Sequence, residues 1–500
     1  MENRFNLIDE PWIPIADVGR VSLKDVFSHS EYAGLGGNPI QKIAMMKLLL
    51  SIAQAACTPE DEEAWRALGW RGMTEQCLDY LNHWHDRFFL YGERPFLQMP
   101  AIAKAAAQSC GAVLPQIATG NTTLLIQSQI DRSLEDADRA LLLVSLMGFA
   151  LGGKKTDNSV VLTPGYAGKK NDKGKPSSGK PGPSVAHMGL LHSYFLGESL
   201  IQTLWLNLLT REDVRNSRLF PDGVGVAPWE QMPEGEDCTV AKALRDSLQG
   251  RLIALCRFCL FDESGLHYSE GVHHDGYKEG RVDPTVAVNS SGKTPKALWV
   301  DPGKRPWREL TSLLSFMSQS RTSGFDCLQL RAGLRRIRKE IERFAIWSGG
   351  LRISSNAGEQ YVSGSDDFVE SKVRLESGML GEFWFSLLEA EMAGLDGLSK
   401  GLYGCVSGYF KEQTAEGEKL AGQASHLFWQ HCERDSQSLF KACWDDQNEH
   451  GREHRQALRR RFVWYVQQVY DQFCPQETAR QLDAWAKYRP NTAKYLQQEI

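Results

Sequence analysis

From about Ser377 the strand signals cease, and helical periodicity runs almost to Ile500. That part of the chain has one way to bury its apolar residues, which is helix against helix. The clearest repeat lies at 452–474, where Leu458, Phe462, Tyr465, Val469 and Phe473 recur at spacings of four, three, four and four. Such a stripe is one face of a helix turned to a core, and 377–500 is expected to form a four-helix bundle. Arg452, Arg455 and Arg459 fall on a different face of the same helix and read as a solvent-facing basic row. Residues 1–376 mix strand and helix patterns. A chain of 500 residues is too long for a single core. The expected class is α+β: a large mixed α/β N-terminal domain (1–376) followed by a C-terminal helical bundle (377–500).

Within the first domain, FNLIDEPWIPI (5–15) reads as a strand ending in a Pro-Trp-Ile-Pro turn. Residues 40–56 are apolar on most sides and predict a buried helix. Thr58-Pro59-Glu60-Asp61 reads as the start of the next helix, with Thr58 as N-cap. Ser133 to Asp136 caps a helix running to about Leu151, and one or two more are expected between Val185 and Leu209. Leu252–Phe261 and Leu266–Ser269 predict a hairpin, while Trp299 and Trp307 mark irregular, packed segments. Residues 326–347 read as one helix, with Arg331, Arg335, Arg338, Lys339 and Arg343 off its apolar face. A hairpin around Asn356-Ala357-Gly358 follows.

Between two helix-like segments lies Gly152–Pro183, with seven lysines, seven glycines and four prolines against two acids. Such a stretch cannot form a helix or bury much surface. Pinned at both ends, it suits a loop laid along a polyanion, its glycines letting backbone N–H groups approach and its lysines neutralising phosphates. Taken alone it reads first as a disordered, solvated insertion, and the other basic features shift that reading. The net charge is −5, so a nucleic-acid partner has to be written in local patches. Further basic features are the arginine-rich helix, Lys278 and Arg281 in HHDGYKEGR, and the row at 452–459.

Eleven scattered cysteines predict reduced thiols. No run of about 18 apolar residues predicts a membrane span, and the N-terminus lacks a signal-peptide core. A cytoplasmic protein with no membrane contact is expected. Phosphate-loop, GxSxG and HExxH motifs are absent from the sequence. Cys256-x-x-Cys259 followed by His273-His274 has zinc-like composition. Odd spacing on a strand, however, places the two thiols on opposite faces. Neither catalytic residues, nor a metal, nor another cofactor are therefore expected. A zinc-dependent nucleic-acid enzyme and a purely structural assembly subunit are the alternatives.

LIDEPWIP (Leu7–Pro14) and RPFLQ (Arg94–Gln98) resemble the large-subunit, CasA family of the type I-E CRISPR surveillance complex, Cascade. The order of parts agrees along the whole chain. The resemblance implies a non-catalytic subunit that recognises the protospacer-adjacent motif in double-stranded DNA, helps open the duplex, holds the displaced strand and receives a recruited helicase–nuclease. Partners implied are the DNA target, crRNA and other Cascade subunits. By the same resemblance, a loop contacting crRNA and a neighbouring subunit falls at Asn121–Gln129, with Asn121, Thr122, Leu125, Ile126 and Gln127. The motif-reading glycine loop falls at Gly165, Tyr166, Ala167 and Gly168, followed by Lys169 and Lys170. Lys278 is the lysine finger, with Arg281 beside it. The duplex wedge falls at Asn356 or Gln360, and Arg452, Arg455 and Arg459 face the displaced strand. The sequence departs from the family at the wedge, where Ala357 follows Asn356 and no Asn-Gln pair occurs.

Overall fold

The computed structural model describes residues 2–114, 134–149, 156–157, 159–164, 166, 189–317, 324–352, 368–446 and 448–497. They form an α+β protein of two compact units, one comprising 1–307 and 323–372 and the other 308–322 and 373–500.

The first unit is built around the helix Pro39–Cys57. Pro39 occupies its first turn, and Asn38 and Gln41 form a reciprocal cap. Among the described residues it is the helix long and apolar enough to cross a membrane, but most of it is buried in the core. Its Lys47 is buried too, with its ammonium donating to the Asp283 carboxylate and to Arg251 O at 2.9 Å. A three-stranded sheet contains His192–Leu196, Arg343–Leu351 and Phe368–Glu376, with Arg343–Leu351 in the centre and antiparallel to His192–Leu196. A second, antiparallel sheet joins Ala107–Gln108, Gly265–Glu270 and Arg257–Asp262.

Several expectations are corrected. Residues 326–347 are not one helix: the helix Leu328–Glu340 stops, and Arg343–Leu351 is a strand. Ile341 is already extended, and Ile346, Trp347 and Ser348 pair with Phe195, Tyr194 and Ser193 in the adjacent strand. Sheet pairing outweighs a helical apolar pattern that continues through Ile341 and Phe344. The arginine-rich helix is also largely neutralised, since Arg336 is buried against Asp213, Arg335 reaches Asp213 at 2.7 Å and Lys339 reaches Glu62 at 2.9 Å. The first half of Val185–Leu209 contains the strand His192–Leu196, and the helix there is Leu200–Asn207. Thr58 closes the preceding helix, and the N-cap of the next, Glu62–His83, is Asp61, which accepts from Ala64 N at 2.8 Å. The region 5–15 holds parts of two short strands, Arg4–Asn6 and Ile13–Ile15.

The second unit packs the long helices Glu382–Glu412, Glu418–Asp445 and Glu449–Phe473 together, with the shorter Ala479–Lys487 against the first and Ala493–Gln497 against the third. Of the stripe, Leu458, Phe462, Tyr465 and Val469 are buried as its spacing predicts, and Phe473 at the helix end is half-buried. All eleven cysteines are free thiols.

Candidate nucleic-acid interface

The described residues of the lysine-rich stretch, 156–157, 159–164 and 166, are held by hydrogen bonds. Asp157 donates its backbone N–H to Tyr268 O at 2.9 Å, and its carboxylate accepts from Ala106 N at 2.9 Å and from Ser159. Glu236, fully buried, then accepts from Leu162 N at 3.1 Å and Thr163 N at 2.8 Å. Asp237 N returns a bond to Thr163 Oγ1 at 3.1 Å, and Tyr166 N donates to Thr163 O at 3.1 Å. One buried carboxylate satisfying two amides holds a segment that has no ladder of its own. The Tyr166 phenol is raised well above its usual range by burial and by the carboxylates of Glu270, Glu236 and Asp237. Its hydroxyl has no hydrogen-bond partner among the described residues.

Lys278 sits on a short 3-10 turn, Tyr277–Glu279. Glu279 closes the turn by accepting from Gly276 N at 2.9 Å, and Gly280 completes it at φ +83°, where a side chain would be strained. Tyr277 is buried in a cluster with Leu190, Val286, Val288 and Ala297. Anchoring of this neighbour turns Lys278 outward, exposed and without an ion pair among the described residues. The flanks are held as firmly. His274 is buried, in contact with Arg251 Nη1 at 2.8 Å and Ala254 O at 2.6 Å; burial and then Arg251 push its pKa down to about 3. Asp283 receives Lys47 and Thr285 N. Arg281 is spoken for by Asp246 at 2.7 Å. Of the two expected donors, Lys278 is therefore the available one.

These two features belong to one neighbourhood. Asp237, which holds Thr163, ion-pairs with Arg245 at 3.2 Å, and the next residue, Asp246, holds Arg281. Beyond the stretch the described chain resumes at Gly189, which accepts from Val300 N at 2.8 Å, while Leu191 N donates to Leu298 O at 2.9 Å. Leu190 between them belongs to the Tyr277 cluster. Both described roots of the lysine-rich segment thus connect to the platform that carries Lys278. Glu236 went unnoticed in the sequence because an acid in PEGED reads as solvated loop.

The other expected site residues fall into two groups. Gly165, Ala167, Gly168, Lys169 and Lys170 lie outside the described residues, as do Asn121, Thr122, Leu125, Ile126, Gln127, Asn356 and Gln360. The last two fall in sequence between the neighbouring strands Arg343–Leu351 and Phe368–Glu376. The basic row of the bundle is corrected. Arg455 is 5% exposed and Arg459 0%, and both bind the fully buried Glu391, at 2.8 Å and 2.6 Å. Arg455 also holds Asp446 at 2.7 Å. Two carboxylates inside the bundle draw these arginines inward, and Arg452 alone of the three is exposed. The zinc-like set does not converge either. Cys256 Sγ donates to Met147 O at 3.0 Å, Cys259 is a buried thiol raised by burial, both nitrogens of His274 are engaged, and His273 points to solvent. Among the described residues no group of His, Cys, Asp and Glu is arranged to hold a metal.

The fold and its basic neighbourhood define an α+β protein with a C-terminal helical bundle. The profile of the CRISPR-associated protein Cse1 family matches residues 6–469, and the chain belongs to that family. It is 32% identical over 228 residues to the CRISPR-associated protein CasA/Cse1 of Thermus thermophilus, a match spanning 42% of this chain and 41% of that relative's length. The crystal structure of Thermobifida fusca Cse1 superposes with a TM-score of 0.75 at 18% identity, covering 98% of each chain. A chain from a structure of a CRISPR RNA-guided surveillance complex superposes with a TM-score of 0.65 at 15% identity, covering 97% of this chain and 98% of that one. At these identities the two superpositions speak to fold.

Proposed function

We propose that this chain is the large subunit of a crRNA-guided, type I-E CRISPR surveillance complex and acts, in the cytoplasm and without catalysis of its own, as its DNA-recognition subunit. In this reading it engages the protospacer-adjacent motif in duplex DNA, helps open the duplex for R-loop formation, holds the displaced strand and offers a docking surface to a recruited helicase–nuclease. Family membership and the fold shared with a chain of an RNA-guided surveillance complex support the assembly. The observation that carries DNA recognition is the outward, unpaired Lys278 on a platform from which the lysine-rich segment is rooted at both described ends.

The chemistry suits a short, permissive motif. A minor groove presents mainly acceptors, so a lysine donor and backbone N–H groups read it coarsely. Guide pairing then reads the remaining sequence, and the protein needs shape and charge. One basic neighbourhood suffices, which is compatible with a net charge of −5.

The test is Lys278→Ala, measured as affinity for duplexes carrying the preferred motif or a scrambled one. A groove contact predicts a loss of about 1–3 kcal/mol on the motif and much less on the scrambled duplex. Equal losses would make Lys278 a phosphate contact; no loss on either would remove it from the interface.

Opening is separable from binding. Changing Asn356 and Gln360 together to alanine is expected to leave motif-duplex affinity within about threefold, because unstacking at a few kcal/mol per step comes after docking. R-loop formation on a paired target should slow, and a pre-melted bubble beside the motif should restore its rate. Absence of rescue by the bubble would place the wedge elsewhere.

A further inference from the structure

We propose that Trp299, flanked by Lys296 and Lys278, is a stacking site for one unpaired base of single-stranded DNA; the proposal rests on the DNA-recognition reading above. Trp307, Trp347 and Trp229 are at most 5% exposed, whereas Trp299 is 41% exposed, although the sequence placed it in a packed segment. Its exposure does not come from a loose backbone. Leu298 and Val300 on either side are hydrogen-bonded to Leu191 and Gly189 at 2.9 and 2.8 Å, and Leu190 bridges to Trp299 itself. The ring meets Tyr277 edge to face, with centroids 6.5 Å apart and planes at 71°. A large aromatic ring held rigid at the surface is what a base needs for stacking, because little side-chain entropy is lost when the base arrives.

The surrounding charge selects the occupant. Lys296 lies on the short strand Lys296–Ala297, which packs on the turn carrying Lys278, and Lys293 precedes it in the connecting turn. All three lysines are exposed and none makes an ion pair among the described residues. Two of the acids nearby are engaged in closing turns, Glu279 on Gly276 N and Asp301 on Gly303 N, while Asp275 faces solvent. A ring that accepts a base face, with exposed lysines on the adjoining strand and turn to meet phosphates, fits a polynucleotide better than an apolar peptide. Duplex DNA hides its base faces, so the occupant is unpaired.

The experiment uses the full chain, a fluorescein-labelled oligothymidine of about 20 nucleotides, a motif duplex of the same length, and an oligothymidine carrying 2-aminopurine. Trp299→Ala is expected to weaken oligothymidine binding about tenfold and duplex binding less than about twofold, with Trp299→Phe within about threefold of wild type. Stacking should quench 2-aminopurine on wild type and Trp299→Phe, and not on Trp299→Ala. Should Trp299→Ala fail to fold, the quench on wild type and Trp299→Phe decides the matter: its absence overturns the proposal. Oligothymidine affinity unchanged in a folded Trp299→Ala also overturns it, and loss of subunit association in that variant instead would assign the surface to a protein partner. If wild type binds duplex while Trp299→Ala has no effect, only the stacking site fails. If wild type binds neither DNA, the recognition reading fails with it.

Discussion

Glu391→Ala is expected to destabilise the helical unit by roughly 3–5 kcal/mol, since it strands two buried guanidinium groups. Glu391 is fully buried and carries both Arg455 and Arg459. Tyr495 adds a hydrogen bond from its hydroxyl at 3.3 Å. Removing the carboxylate leaves Arg455 with Asp446 as its remaining anion and takes from Arg459 the carboxylate it shares. A loss of that size is a large part of a domain's usual 5–15 kcal/mol, roughly speaking. The measurement is denaturant unfolding of the full chain followed by far-UV circular dichroism, with attention to the transition that carries most of the helix signal. Arg452→Ala on the same helix is the control: exposed and unpaired among the described residues, it should change stability by less than about 0.5 kcal/mol. Similar stabilities for the two variants would mean that the buried cluster contributes no more than a surface charge.

Replacing Lys169, Lys170, Lys173 and Lys175 together by alanine is expected to weaken duplex binding for every sequence and to flatten its salt dependence. Each phosphate that a lysine no longer neutralises reduces the slope of log affinity against log salt by about 0.9, so four of them account for about 3.6. Over a moderate change in salt that is more than a tenfold change in relative affinity, the largest binding effect predicted for this protein. It is also the opposite signature to Lys278→Ala, which should discriminate between motifs. The segment is rooted at Thr163–Tyr166 and at Gly189, so its lysines stay tethered to the Lys278 platform whatever path they take. An unchanged slope would identify the segment as a spacer and return the chain to the reading of an assembly subunit.

The residues differ in how far they could be understood before the fold was in view. Periodicity is local: Leu458, Phe462, Tyr465 and Val469 declare a helix and its buried face, and the apolar run at 40–56 declares a core helix. The hairpin of Arg257–Asp262 and Gly265–Glu270 is legible as strand-like runs on either side of a turn at Asp262–Gly265, although the first run, read from Leu252, starts at the end of the helix Gln249–Leu252 and becomes strand only at Arg257. The Leu7–Pro14 and Arg94–Gln98 motifs carried the family, which the match over residues 6–469 shows.

What the chain's own order determined is which segments are helix or strand where the pattern is strong, and to which family it belongs. What only the tertiary structure decided is the fate of each charge. Arg455 and Arg459 look like a surface row until Glu391, 64 and 68 positions away, comes to meet them. Arg336 waits in the same way on Asp213, 123 positions away, and Thr163 on the buried Glu236, 73 away. Trp299 reads as packed and is exposed, and of the neighbouring Lys278 and Arg281 the first is exposed while the second is held by Asp246. A side chain's charge and size are written at its own position. Whether it faces water or a counter-ion is a property of the partners that folding brings to it, and those partners are set by packing over the whole unit.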